Sequence, residues 1–421
     1  MEKWYHQNKI LIPWALLGLE VAVSIGLRLY KIKTGAEQDS DVVPSPVKTL
    51  LPKLSDEEAA NLPYPPDAYP GARDVHSPYG SLRVYEFGPE DGKKVLLVHG
   101  ITNPCVAVGA IAHGLADKGC RVMLFDLPGR GYSSTPMPTP HSTRLFTTSI
   151  LLALTSSPIP WTGNGRQFSL IGYSLGGGIV ANFASYFPSF VSSLVLLAPA
   201  GLVRAEHFTL TNKFLYNTGL INEVTLEGII KKKLSRGDLP TKATPPKVVE
   251  DASPVTEEVP NEKPEVMPID IPELSRARPG ITVSKVVVSI SRLIALARVL
   301  TSAQAWQINY HLGFVKSFMS SIRHGPIAGQ HADWRRIGER LSAQNATSEE
   351  RYAREGLQNG KVLIIGGKKD VLIVQDELVE DATKVLGVDN VKMEFVDAGH
   401  ELPVTKSLEI VEIVWNFWEQ K

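Results

Sequence analysis

Cysteine is scarce in this chain, and neither sign of charge is in excess. The two cysteines among 421 residues, Cys105 and Cys120, supply neither a zinc cluster nor a disulfide framework, so we interpret both as ordinary thiols. The 44 basic residues offset the 44 acidic residues, which argues against a nucleic-acid partner. The sequence also lacks internal repeats and glycine-rich nucleotide loops. We therefore expect no cofactor and no bound metal.

Long apolar runs are rare as well, and the one that stands out is near the N-terminus. Residues 10–27 are almost wholly apolar, with basic residues on both sides, although Pro13 and Glu20 interrupt the run. As a helix it would extend about 27 Å, enough to cross a bilayer. No small-residue cleavage site follows, so the pattern predicts a retained membrane anchor over residues 1–33, either single-pass or monotopic. A slight excess of basic residues after the run favours a cytosolic location for the rest of the chain.

Beyond this run, the sequence indicates an α/β fold. Residues 34–70 are polar and rich in proline, which predicts a linker. Short apolar runs then alternate with helical patterns, as is typical of a mostly parallel sheet flanked by helices. Residues 74–87, with a turn at 78–80, predict an antiparallel hairpin at the sheet edge. The predicted core strands lie at 95–98, 122–125, 169–171, 194–197, 362–365 and 391–395, and a closing helix lies at about 408–417.

Between residues 198 and 361 the sequence predicts helices and no further core strands. We interpret residues 204–357 as a helical cap inserted into a core formed by residues 71–203 and 358–421. Within the insertion, a segment at about residues 238–279 contains many prolines and acidic side chains and few apolar ones. Such a composition buries too little apolar surface to offset the entropy of ordering, so we predict a disordered segment there.

The sharpest chemical signal is the sequence GYSLG at residues 172–176. It follows a predicted strand and precedes a helix with an apolar face, so Ser174 lies on a tight turn between the two. Glycines two residues to either side let the strand and helix approach closely, and the turn exposes the serine hydroxyl. The pattern predicts a nucleophilic serine. The N–H of Leu175, at the start of the helix, would point toward a developing oxyanion.

A serine hydroxyl needs a base and an orienting acid before it becomes a good nucleophile. Of the ten histidines, only His400 directly follows a late predicted strand and precedes the last helix. Two carboxylates could orient it: Asp370, which follows the preceding strand, and Asp397, which lies in the same turn as the histidine. We predict Asp370, because Asp397 is better placed to cap backbone N–H groups of its own turn. The order Ser, Asp, His along the chain also fits this architecture.

Two further turns follow the first pair of core strands. The sequence HGI at residues 99–101 places Ile101 where a second oxyanion donor is needed, and we interpret His99 as a structural hydrogen-bonding residue. Residues 125–133 form a glycine-rich turn in which Asp126 and Ser133 are predicted to build the turn rather than to take part in chemistry.

With these motifs together, the chain resembles the α/β-hydrolase superfamily in its AB-hydrolase-1 form, over residues of about 84–418. The resemblance rests on the HG turn, the DxPGxGxS turn, the GxSxGG turn, the GxxD turn and the final GH turn. It implies a lid formed by the insertion and hydrolysis of an ester, thioester or amide through an acyl-enzyme. It also implies that Ile101 and Leu175 donate to the oxyanion. The sequence departs from the family pattern after Asp370, where no proline stands at the usual distance.

The leading hypothesis is a carboxylic-ester hydrolase of the lipase or esterase kind, acting on a lipophilic small-molecule ester at a membrane. An acyltransferase would use the same three residues and pass the acyl group to an alcohol or amine. A ligand-binding protein on the same scaffold, without catalysis, is the alternative from a different class. Epoxide hydrolases and dehalogenases are disfavoured because they need a carboxylate in the place of Ser174.

Overall fold

The computed structural model describes residues 41–207, 221–236, 300–347 and 355–420. The predicted anchor over residues 1–33 and the predicted disordered segment over 238–279 lie outside the described residues. Within the described residues, no helix is long and apolar enough to cross a membrane.

An eight-stranded sheet forms the centre of the fold. Its strands, in their order across the sheet, are β2 Arg73–Ser77, β3 Gly80–Phe87, β5 Arg121–Phe125, β4 Lys94–Val98, β7 Phe168–Tyr173, β8 Val191–Leu197, β9 Val362–Gly367 and β10 Val391–Val396. The strands β2 and β3 form the predicted antiparallel hairpin, β3 pairs antiparallel with β5, and the remaining pairs are parallel. The predicted α/β fold with a mostly parallel sheet is therefore confirmed. The strands β1 Asp41–Val43 and β6 Thr135–Met137 form a separate antiparallel pair.

Helices cover both faces of this sheet, which explains why its central strands are continuously apolar. Alternate residues of a strand belong to different clusters: Leu96 and Val98 pack on one face, Val95 and Leu97 on the other. The described helices are α1 Pro46–Thr49, α2 Asp56–Ala60, α3 Val106–Asp117, α4 Thr143–Thr155, α5 Leu175–Tyr186, α6 Glu223–Ser235, α7 over 300–310, α8 Phe314–His324, α9 His331–Ala346, α10 Gln375–Leu386, α11 Leu402–Thr405 and α12 Ser407–Glu419. Helices α3 and α12 contribute to one cluster, and α4, α5, α9 and α10 to the other.

The segment predicted as a linker is packed against the core over its described part, residues 41–70. It contains β1, α1 and α2, and the side chains of Tyr64 and Tyr69 are buried. The Tyr64 hydroxyl donates to the carboxylate of Asp126 over 3.1 Å. A composition rich in proline predicts a free tether, but a few well-placed aromatic residues bury enough surface to hold the segment in place.

The inserted region contributes to two different parts of the fold. Helices α6, α7 and α8 share an apolar cluster of their own, which includes Leu226, Ile308, Phe314 and Phe318. Helix α9 instead packs with α5 and α10, and its Trp334 is fully buried in a cluster on one face of the sheet. Helix α9 thus belongs to the layer that covers the sheet.

Candidate functional site

Ser174 lies on a strained turn between β7 and α5. Its φ of 53° is in the left-handed region that residues with a Cβ avoid. The turn depends on its glycines: a Cβ on Gly172 would lie 2.4 Å from the Gly176 carbonyl oxygen, and one on Gly176 would lie 2.2 Å from the Val98 oxygen. The helix therefore starts directly at the sheet edge, with the serine at its N-cap and the N–H of Leu175 in its first turn.

The structure brings Ser174, His400 and Asp370 together. The Nε2 of His400 lies 2.9 Å from the Ser174 hydroxyl, and its Nδ1 lies 2.8 Å from Oδ2 of Asp370. The side chain of Asp370 is fully buried, whereas that of His400 is 19% exposed. The other carboxylate oxygen, Oδ1, accepts hydrogen bonds from the backbone N–H groups of Leu372 and Ile373. Both oxygens of Asp370 are thus fixed, one by backbone and one by the histidine.

The competing carboxylate, Asp397, points into solvent. Its side chain is 62% exposed and forms an ion pair with Lys369 over 2.8 Å. The hydrogen bond from Lys369 lowers the pKa of Asp397 below its ordinary value. In this geometry Asp370, and not Asp397, contacts the His400 ring.

The turn after β4 lies next to the serine. Gly100 is so close that a Cβ there would lie 3.2 Å from Cβ of Ser174. The next residue, Ile101, is partly buried and packs against both the core and the cluster of α6, α7 and α8. The turn that contains Ile101 therefore starts directly against the nucleophile turn.

His99 is held as a neutral structural residue. Its Nδ1 donates to the carbonyl of Gly100 over 2.8 Å, and its Nε2 accepts from the N–H of Leu127 over 2.9 Å. Burial lowers the pKa of His99 to about 3, so the ring is uncharged at neutral pH. This geometry agrees with the structural role predicted from sequence.

Asp126 and Ser133 hold their turn together, as the sequence predicts. Asp126 accepts from the N–H groups of Cys105 and Tyr132, and Ser133 donates to the Asp126 carbonyl. Burial raises the pKa of the Asp126 carboxyl to about 6. Both cysteines are free and buried, which confirms their interpretation as ordinary thiols.

With this geometry established, comparison with known proteins identifies the family. Residues 93–407 match the model of the alpha/beta hydrolase fold family. The chain belongs to the α/β-hydrolase family. This membership supports hydrolase activity in general, whereas the substrate varies widely on this fold.

Individual α/β-hydrolase relatives are distant. A "serine hydrolase-like protein" of Danio rerio is 28% identical over 130 residues, which cover 31% of this chain and 38% of that protein. The chain thus spans less than two fifths of that relative. A crystal structure of a membrane phospholipase A, described as a novel bacterial virulence factor, has a TM-score of 0.51 at 15% identity over 96% of each chain. A bromoperoxidase of Bacillus anthracis also has a TM-score of 0.51 at 15% identity, over 83% of this chain and all of that one. These two likenesses show the fold alone.

Sequence reasoning missed three hydrogen bonds around the site. The Tyr173 hydroxyl donates to the His400 carbonyl over 3.0 Å, and Arg130 and Gln307 donate to carbonyls of the turn after β4. Tyr173 and Arg130 lie within the motifs already recognised, but a motif does not reveal which way its variable side chains point. Gln307 lies on α7, more than 200 residues from its partner Thr102, and no local signal connects them.

One group of side chains in the described residues could hold a metal ion. Ligand atoms of Glu206, His207 and Glu377 lie within 4.8 Å of one another. His207 Nε2 is already 2.6 Å from a Glu377 oxygen, and the group is exposed or only partly buried. Among the described residues, no hydrogen bond joins this group to Ser174, His400 or Asp370.

Proposed function

We propose that the protein is a serine hydrolase that cleaves a carboxylic ester through an acyl-enzyme. The observation that supports this most directly is the chain of contacts from Ser174 through His400 to the buried Asp370, at 2.9 and 2.8 Å. Ser174 is the nucleophile, His400 the general base, and Asp370 the acid that fixes the histidine tautomer.

The proposed reaction uses each of these residues in turn. Ser174 Oγ attacks the carbonyl carbon while its proton moves to His400 Nε2. The N–H groups of Ile101 and Leu175 donate to the resulting oxyanion. When the intermediate collapses, the C–O bond to the alcohol breaks and His400 returns the proton to the leaving oxygen. A water molecule, deprotonated by His400, then attacks the acyl-enzyme and releases the acid together with free Ser174.

A lipophilic acyl group fits the surroundings of the proposed oxyanion donor. Ile101 packs against the apolar cluster that α6, α7 and α8 share, so hydrocarbon lies beside the residue proposed as an oxyanion donor. Helix α9 instead belongs to the layer on the sheet. We propose that helices α6, α7 and α8, within residues 204–357, form a cap on a core of residues 71–203 and 358–421, and that this cap covers the acyl chain. Each methylene group that is transferred from water into such surroundings contributes about 0.8 kcal/mol.

The proposed substrate also suits the anchor predicted over residues 1–33, which would keep the enzyme at the membrane that holds its ester. The expected result is that the full chain stays with membranes in alkaline carbonate, while a chain starting at residue 34 is released and active. Recovery of the full chain in the soluble fraction would contradict the anchor without touching the proposed chemistry.

The proposed chemistry is tested with a fluorophosphonate probe and 4-nitrophenyl butyrate. Ser174→Ala should lose both labelling and turnover, with an unchanged melting temperature. Ser149→Ala is the matched control, because the Ser149 hydroxyl donates only to the Leu145 carbonyl of its own helix. Labelling of Ser174→Ala would refute the assignment, and a wild type that is never labelled would favour a silent ligand-binding protein. Product analysis with an added alcohol separates hydrolysis from acyl transfer.

A further inference from the structure

Three consecutive carbonyls in the turn after β4 each accept a hydrogen bond from a buried side chain. His99 Nδ1 donates to the Gly100 oxygen over 2.8 Å, Arg130 Nε to the Ile101 oxygen over 2.9 Å, and Gln307 Nε2 to the Thr102 oxygen over 3.0 Å. All three donors are fully buried residues. Loops commonly satisfy such carbonyls with water, so this turn is unusually restrained.

Arg130 connects this turn to helix α8. Besides the Ile101 carbonyl, its guanidinium donates to the Pro128 carbonyl and to the hydroxyls of Ser317 and Ser321, which lie one helical turn apart on the same face. Among the described residues, no carboxylate forms an ion pair with Arg130. Burial lowers the pKa of Arg130 to about 9, which still leaves the group charged at neutral pH.

Burying a charge without a counterion is costly, and the Arg130 site satisfies the cation with neutral acceptors only. A planar guanidinium can serve four acceptors in fixed directions, which an ammonium group cannot do. If the arginine only filled space, an apolar residue would do so without the cost of burying a charge. Its arrangement instead fixes where the Ile101 carbonyl points.

Gln307 makes the second connection, from helix α7. Its Nε2 donates to the Thr102 carbonyl, while its Oε1 accepts from the N–H of Gly131 over 2.8 Å. One fully buried amide thus joins the turn after β4 to the turn after β5. Like Arg130, it links the turn after β4 to the helices between β8 and β9.

Because peptide groups are planar, these contacts also fix the direction of one N–H group, that of Ile101. The Gly100 carbonyl and the Ile101 N–H belong to the same rigid plane, and the Ile101 carbonyl belongs to the next. With both planes held, by His99 and by Arg130, the backbone angles of Ile101 are fixed from both sides. Gln307 fixes the following plane and so prevents the turn from rotating as a unit.

From this arrangement we infer that Arg130 and Gln307 are positioning residues that hold the Ile101 N–H in the oxyanion site and tie it to helices α7 and α8. The inference rests on the proposed function. Neither side chain is required to touch the substrate. Both act on the transition state alone, through the direction of one backbone donor.

The test uses Arg130→Lys and Gln307→Met in the full chain, with 4-nitrophenyl butyrate as substrate. We expect kcat to fall about 10- to 100-fold, as for a misdirected rather than a deleted oxyanion donor, while KM stays within about twofold. The inhibition constant of a trifluoromethyl ketone, whose oxyanion occupies the same site, should rise in parallel with the loss in kcat. Arg340→Lys is the matched control, because Arg340 also donates to two backbone carbonyls, those of Ala184 and Ser185, away from the turn.

Several results would overturn the inference. These are a kcat within about twofold of wild type, a loss that appears in KM alone, or a loss equal to that of Arg340→Lys. Gln307→Met removes no buried charge, so it decides the question if Arg130→Lys does not fold. A failure of the proposed function is distinguishable, since Ser174→Ala would then keep its turnover, whatever Arg130 and Gln307 do.

Discussion

The turns after β4 and β10 each place a histidine at the carboxyl edge of the same sheet, and the two histidines have opposite surroundings. His99 is fully buried, with both ring nitrogens engaged by backbone groups. His400 is partly exposed, with one nitrogen on a buried carboxylate and the other on a serine hydroxyl. The hydrogen-bond partners of the ring, and not its place at the sheet edge, therefore distinguish the structural histidine from the proposed base.

The largest effect is expected when each of the two histidine rings is removed in turn. We expect His400→Gln to lower kcat about 10⁶-fold, since no other group would accept the Ser174 proton. His99→Gln should lower it only about tenfold, through a disturbed Ile101 turn. Steady-state kinetics of both variants with one activated ester measures the contrast. Equal losses would show that the surroundings do not decide the roles.

The next largest effect concerns the carboxylate that distinguishes the two rings. Asp370→Asn should lower kcat about 10⁴-fold, because the amide no longer fixes the required tautomer of His400. Asp397→Asn, which removes only a solvent-exposed ion pair with Lys369, should stay within about threefold of wild type. The two variants are compared in the same assay. An inactive Asp397→Asn beside an active Asp370→Asn would reverse the assignment of the acid.

The strands and the site residues at their ends can be predicted from the sequence, because their signals are local. Apolar runs located the strands, and residues directly after strands located Ser174, Asp370 and His400, since parallel strands end at one edge. The glycines of the GYSLG turn carry a steric requirement that a short sequence can express. The fold and the proposed triad therefore follow from short segments, each read alone.

The rest depends on contacts between distant segments. The packing of residues 41–70 rests on single side chains such as Tyr64, whose partner Asp126 is 62 residues away. Whether α9 belongs to a cap or to the sheet layer depends on which surface its Trp334 meets, and an amphipathic pattern gives only the face, not its partner. The contacts of Arg130 and Gln307 escape prediction for the same reason.

A third prediction concerns the free energy of unfolding. Here the variant of His99 should show the larger effect and the variant of His400 the smaller. His99→Gln leaves Leu127 N–H or Gly100 C=O unpaired in the interior, because a glutamine cannot reach both with the geometry of the ring. We expect the free energy of unfolding to fall by about 1–3 kcal/mol. His400→Gln should change it by less, since the ring is partly exposed and a glutamine amide needs to reach only one buried partner, Asp370 Oδ2. Urea unfolding of both variants measures the difference, and a larger loss for His400→Gln would contradict it.

The smallest expected effect is the contribution of His99 to the pH dependence of stability. Burial lowers its pKa to about 3 in the folded protein, while an unfolded chain has a histidine pKa of about 6.5. Between these values the unfolded state binds a proton that the folded state does not, so acidification favours unfolding. Burial also lowers the pKa of His141 and His311, and it raises that of Asp126, which acts with the opposite sign.

Because those other groups are common to both proteins, the difference between wild type and His99→Gln isolates the His99 contribution. From pH 6.5 to 5.5, protonation of this histidine in the unfolded state should cost the wild type about 1 kcal/mol of stability. His99→Gln has no such group, so its free energy of unfolding should fall by about 1 kcal/mol less over the same interval. Urea titrations at the two pH values give both slopes. Identical slopes would mean that His99 binds its proton equally well in the folded state, which its two backbone hydrogen bonds at 2.8 and 2.9 Å do not allow without rearranging the turn that holds Ile101.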